Sequence, residues 1–210
     1  MTRTGDGARA HAPGLLLRAA GFYDFSLWLF MLGRERSFRE RVLRAADLAP
    51  GQDVLDVGCG TGSLALSAKR TVGPKGDVYG IDASPEMLRR AESKSRKSDL
   101  AVEFLEAPAQ ALPFPDAKFD VVLNTLMLHH LPRTSRDRCV AEMKRVLKPG
   151  GRLVIVDFAA SAARHAFSIH RHGGVRSQDI VNMLMASGLT ILASGKLGFR
   201  NMHFVSASAG

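Results

Sequence analysis

Cysteine is nearly missing from this chain: Cys59 and Cys139 are the two among 210 residues. So sparse a set excludes a disulfide framework and offers no metal-ligand spacing, and it fits a reducing, cytoplasmic setting. A clean membrane span is missing as well. Residues 15–32 are apolar, but Arg18 and Asp24 interrupt them, leaving no unbroken run of the length a bilayer needs. No signal-peptide cleavage pattern is evident, and no internal repeat is present. Residues 1–14, rich in Gly, Ala, Thr and Arg, lack periodic apolar positions and read as a mobile tail. Residues 15–50 are expected to form an N-terminal helical cap, its amphipathic helix lying over a pocket or, alternatively, on a membrane surface.

What remains is sufficient for one well-filled domain. The chain is 46% hydrophobic over its 210 residues, enough for a single α/β domain with short extensions. Its formal charge of +9 brings nucleic acid, an anionic membrane or an acidic small substrate into consideration as partners. The charge is dispersed, however: segments 34–44, 89–97 and 133–148 each mix Lys or Arg with Glu or Asp, as solvated helix faces do.

From residue 51 onward strand and helix patterns alternate, which predicts a parallel sheet with helices on both faces. Strands are expected at 53–57, 77–82, 102–105, 119–124 and 153–156, with helices at 62–71, from Pro85, at 134–147 and at 177–186. Ser84 is placed as an N-cap with Pro85 at the first helical position. Segments 189–194 and 202–207 read as a terminal strand pair. Residues 158–175 carry no regular pattern and are a candidate substrate lid.

The first strand runs into a glycine turn, Asp56-Val57-Gly58-Cys59-Gly60-Thr61-Gly62, at a helix start. Glycine at these places lets a ligand approach the main chain at the carboxyl end of a strand. Nicotinamide dinucleotide enzymes also use Gly-x-Gly turns, but they want a third glycine three positions after the second, where Ser63 stands. The Asp-x-Gly-x-Gly-x-Gly run therefore disfavours an oxidoreductase.

This run, with Asp82 closing the second strand, Leu112-Pro113-Phe114 before the fourth and Lys148-Pro149-Gly150-Gly151 before the fifth, resembles class I S-adenosylmethionine-dependent methyltransferases over roughly residues 45–157. The nearest subgroup is that of small-molecule and quinone or phospholipid methyltransferases. The resemblance implies a Rossmann-like, doubly wound, three-layer α/β/α sheet, mostly parallel with an antiparallel C-terminal strand. It implies S-adenosylmethionine as cofactor, a small-molecule or lipid-like acceptor and peripheral membrane contact. An S-adenosylmethionine-binding regulatory protein without turnover is the alternative.

By the same resemblance, Gly58, Gly60 and Gly62 admit the cofactor and Asp82 accepts from its ribose hydroxyls. Asp56 orients the turn or the cofactor's amino end, or is purely structural. Asn124 offers its backbone carbonyl to the methionine amine. The family places an acidic residue against the adenine amine where this chain has Pro108. Ala109, Gln110, Ala83 and Met87 are then left to hold the adenine, with one hydrogen bond fewer and a modest affinity.

After Asn124 the chain continues Thr125-Leu126, without the Pro-Pro-aromatic sequence of enzymes that methylate nucleobase amines, which counts against nucleic acid as substrate. His129 and His130 are candidates for a general base or for packing of their turn. Tyr23 and Trp28, in the cap, and His165 and His170, in the lid, are candidate substrate contacts. His165, His170 and His172 lack a carboxylate or cysteine at ligand spacing, so no metal is expected.

Overall fold

The computed structural model describes residues 34–159 and 175–210. Tyr23, Trp28, His165 and His170, with most of the expected cap and lid, lie outside the described residues. Helix α1 (Glu35–Ala46) places Phe38, Val42 and Ala46 at four-residue spacing, so one stripe is buried. Its other face carries charge, with Arg36 paired to Glu40 at 2.9 Å. The turn into left-handed backbone at Asp47 stops it.

The remaining elements alternate as the sequence predicts. They are β1 (Val54–Val57), α2 (Ser63–Val72), β2 (Val78–Asp82), α3 (Pro85–Ser98), β3 (Glu103–Glu106) and β4 (Phe119–Thr125). After a 3-10 turn at Leu128–His130 come α4 (Arg133–Arg145), β5 (Leu147–Phe158), α5 (Ser177–Ala186), β6 (Leu189–Lys196) and β7 (Met202–Ala209). Ser84 caps α3, its hydroxyl accepting the Met87 N–H, and Pro85 opens it.

Seven strands form one sheet in the order β3-β2-β1-β4-β5-β7-β6. Neighbours from β3 to β5 are parallel, whereas β7 runs antiparallel to both β5 and β6. The short reversal between β6 and β7, closed by the Leu197 N–H on the Met202 carbonyl, accounts for that one inverted strand. The strand order turns between β1 and β4, and the crevice outside their carboxyl ends is where such sheets take ligands.

Two apolar layers enclose the sheet. Phe38, Val42, Ala65 and Ala68 of α1 and α2 meet Val54, Val121, Val154 and Met202 on one face. Cys139, Val140, Met143, Ile180 and Leu184 of α4 and α5 meet Val57, Val122, Ile155 and Val205 on the other. Each fully buried Leu, Ile or Phe contributes on the order of 1.5–3 kcal/mol. Both cysteines are buried free thiols.

One boundary differs from the sequence expectation. The helix expected at 134–147 ends at Arg145, and the strand expected at 153–156 begins at Leu147, which pairs with Phe119. The Lys118 and Phe119 amides both donate to the Val146 carbonyl, drawing the Lys148-Pro149-Gly150-Gly151 approach into the sheet. There the Lys148 ammonium reaches Asp120 at 2.8 Å and Asp53 at 3.1 Å, joining β5 to β4 and to the start of β1. Among the described residues no helix is long and apolar enough to cross a membrane.

Candidate functional site

The Gly58–Gly62 turn leaves β1 at the switch point and is held from β2. The Gly58 and Cys59 amides both donate to the Ile81 carbonyl at 2.9 Å. Gly58 and Gly62 each have a φ of +75°, a conformation L side chains rarely adopt. Space is closed to a side chain too: a Cβ would lie 2.6 Å from Met127 Cγ at Gly58 and 2.7 Å from Phe104 Cζ at Gly62. The fold itself thus favours glycine at 58 and 62.

Asp82 fastens the middle of the turn. One carboxylate oxygen accepts the Gly60 N–H at 2.9 Å and the other accepts the Ser84 N–H at 2.9 Å. Burial raises the carboxyl above its usual range, while the Ser84, Gly60 and Ala83 amides pull it down. A carboxylate offers about four lone-pair sites, so acceptor capacity remains for the two ribose hydroxyls that sequence reasoning assigned to it. Capping and ligand binding are compatible here.

Asp56 and Asn124 form the other end of the site. Asp56 is 1% exposed and neither carboxylate oxygen makes a hydrogen bond of good geometry. Burial, followed by the nearby Asp82 charge, pushes its carboxyl up to about 7, the Ala65 N–H pulling weakly the other way. Asn124 is fully buried; its amide donates to the Val57 carbonyl at 2.8 Å and its oxygen is unpartnered. Three buried acceptor oxygens therefore sit at the switch point, each without a well-formed hydrogen bond. A ligand carrying an ammonium and a sugar diol supplies the donors that these oxygens and Asp82 lack, so the residues present fit S-adenosylmethionine. At Asn124 it is the side-chain oxygen that lacks a donor, whereas the sequence pointed to the backbone carbonyl.

The adenine-side residues differ in placement. Ala83 is exposed, Met87 is 2% exposed, and Ala109 and Gln110 are half-buried in a turn closed by the Ala111 N–H on the Pro108 carbonyl at 3.0 Å. Pro108 itself is exposed. Helix α4 clamps the following loop: Glu142 accepts the Leu112 N–H at 2.8 Å, and Arg145 donates to the carbonyls of Leu112 and Phe114. Burial, and then the carboxylates of Asp56 and Asp82, push the Cys59 thiol well above its usual range, which disfavours its thiolate form.

Beyond Asn124 the backbone enters left-handed space at Leu126, with φ +55°, and the Leu126 N–H bonds the Val156 carbonyl at 2.8 Å. His129 follows, 3% exposed, with Nδ1 2.7 Å from Asp157 Oδ1 and its backbone N–H donating to Asp157 Oδ2 at 3.1 Å. The fully buried Asp157 also accepts the Phe158 N–H at 2.7 Å. His130 is exposed, and its ring lies 4.0 Å from that of His129. Sequence reasoning missed Asp157. Its signal was present: a carboxylate ending the continuous apolar run 153–156, as Asp82 ends β2.

Residues 54–151 match a family described as a methyltransferase domain. Over those residues the chain is similar to S-adenosylmethionine-dependent methyltransferases, in sequence and in fold. A ubiquinone/menaquinone biosynthesis C-methyltransferase of Burkholderia cenocepacia is 34% identical over 146 residues, covering 70% of this chain and 59% of that protein. The chain thus spans about three fifths of the length of the curated relatives it matches. An S-adenosylmethionine-dependent methyltransferase of Aquifex aeolicus superposes with a TM-score of 0.73 at 28% identity, over 82% of this chain and 89% of that one. The magnesium protoporphyrin IX methyltransferase of Synechocystis, solved with S-adenosylhomocysteine, shares the fold at a TM-score of 0.68 and 22% identity, over 85% of this chain and 84% of that one.

Proposed function

We propose that this methyltransferase domain moves a methyl group from S-adenosylmethionine to a small aromatic or lipid-like acceptor, of which a quinol ring is the form favoured by its quinone-pathway relative. The observation that carries the reading is the set of donor-seeking oxygens of Asp56 and Asn124 beside the Asp82-fastened glycine turn. S-adenosylmethionine supplies an activated methyl on a sulfonium when bound, so the protein needs no nucleophile of its own.

Each residue then has a bounded task. Asp82 accepts from the ribose hydroxyls, Asp56 and Asn124 from the ammonium, and Gly58, Gly60 and Gly62 let the main chain come close. Ala83, Met87, Ala109 and Gln110 frame the base. Their contribution is alignment and exclusion of water, effects able to lower such a barrier by about 7–11 kcal/mol.

Of the two histidines, His129 is tied through Nδ1 and its backbone N–H to Asp157 and anchors the β4 turn to β5. His130, exposed and with its ring tilted against that of His129 at 4.0 Å, takes the proton of an acceptor hydroxyl in this reading. A cytoplasmic enzyme working at a membrane surface suits a lipid-like acceptor, and nucleic acid is not its substrate.

Calorimetry with S-adenosylmethionine and S-adenosylhomocysteine, followed by labelled-methyl transfer to a panel of quinols, phenols and lipids, tests the reading. Binding and a labelled product are expected. Binding without any labelled product would instead favour a cofactor-binding regulator.

A further inference from the structure

His203 is a buried residue with no evident use. It stands near the start of β7, is 5% exposed, and neither ring nitrogen has a hydrogen-bond partner. An imidazole so placed forfeits the bonds that water would give both nitrogens, and orphaned groups of this kind are rare in folded proteins.

Its position makes it relevant to the chemistry. Antiparallel pairing sets His203 opposite Asp157, on the face that carries Val205 and Ile155. That place is the carboxyl edge of β5, the same edge as the glycine turn and His129. Asp157 has no need of a further donor, since His129 Nδ1, the His129 amide and the Phe158 amide already occupy it. No cluster of His, Cys, Asp or Glu among the described residues is arranged to hold a metal ion. His203 therefore serves neither as Asp157's partner nor as a ligand in such a cluster.

The surroundings also define its state. Burial lowers the proton affinity of the ring, opposed by Asp157. Lys196 of β6 pairs with His203 in the sheet, but its residue is exposed. A neutral imidazole presents one N–H donor and one lone pair, which suits an uncharged hydroxyl or carbonyl oxygen better than an ammonium or a phosphate.

We propose that His203 binds the methyl acceptor, hydrogen-bonding a hydroxyl or carbonyl oxygen so that the acceptor's ring is held at the carboxyl edge of β4 and β5. The assignment rests on the methyltransferase reading above, and deepens it by requiring an oxygen-bearing acceptor.

The experiment uses the full chain saturated with S-adenosylhomocysteine, titrated with 1-naphthol and with naphthalene as the matched probe lacking oxygen. Wild-type protein is expected to favour 1-naphthol by about fivefold, the worth of one net hydrogen bond. His203→Phe is expected to abolish that preference while leaving affinity for S-adenosylhomocysteine within twofold, and His203→Gln to restore part of it. Imidazole nitrogen resonances of His203 in the wild-type protein should shift on adding 1-naphthol and not naphthalene, a readout independent of how the variants fold. Equal affinity for the two probes, or unmoved His203 resonances, overturns the proposal. Failure of S-adenosylhomocysteine to bind is the separate signature of a failed cofactor reading.

Discussion

The Asp82 carboxylate reaches from the end of β2 to the Gly60 amide at 2.9 Å, so one residue shapes the glycine turn beside the strand-order switch. Its second oxygen holds the Ser84 amide where α3 begins. Turn, strand end and helix start are thereby fixed against one another.

Replacing Asp82 by Ala should weaken S-adenosylhomocysteine binding at least tenfold, since hydrogen bonds to a charged group contribute about 1.5–3 kcal/mol each. Asp82→Asn, which keeps an acceptor oxygen for one amide, should lose less. Calorimetry on both variants provides the comparison, and equal losses would show that a neutral acceptor oxygen cannot stand in for the carboxylate.

Asp56 predicts a pH dependence of unusual sign. Its carboxyl is raised from 3.8 to about 7 in the folded protein, so between those values the native state holds a proton that the unfolded chain has lost. Stability of the cofactor-free protein should consequently fall as pH rises from about 4 to about 7, by on the order of 4 kcal/mol in full. A ligand ammonium favours the ionised carboxylate, so cofactor binding near pH 6 should release a proton. Calorimetry in two buffers of different ionisation heat measures that release, and Asp56→Asn should abolish it.

The two histidines should separate cleanly. His129→Ala leaves the buried Asp157 short of its ring partner, and a hydrogen bond to a charged group contributes about 1.5–3 kcal/mol. Thermal unfolding should register that loss. His130→Ala should leave stability nearly unchanged and lower kcat by about 10²-fold or more if it acts as the base. A full kcat in His130→Ala would assign the pair to packing alone.

Local pattern made the scaffold legible. Ser84-Pro85 carries its own capping chemistry, and the apolar run of β1 ending in Gly58 announces a buried parallel strand; both stand as expected. The start of β5 was hidden because Leu147 and Lys148 read equally well as the last turn of a helix. Only pairing with Phe119, a neighbour far along the chain, decides for strand. The proximity of Gly58–Gly62 to Asp82 was readable because it follows from spacing along one βα unit. The Asp157–His129 and Asp157–His203 relationships depend on strand order across β4, β5 and β7, which no local spacing encodes.

Pro108 supplies a prediction in the direction of gain. It is exposed and occupies the first position of the turn whose closing bond runs from the Ala111 N–H to its carbonyl. Aspartate is well suited to that turn position, so Pro108→Asp should preserve the backbone. It would also place a carboxylate where class I methyltransferases meet the adenine amine. A net hydrogen bond of about 1 kcal/mol corresponds to several-fold in affinity. Calorimetry should therefore find S-adenosylmethionine bound several-fold more tightly by the variant. Adenosine competition should strengthen in parallel, because the gain acts on the base, whereas methionine competition should not change. An unaltered affinity would mean that Ala109, Gln110 and the apolar frame already satisfy the adenine.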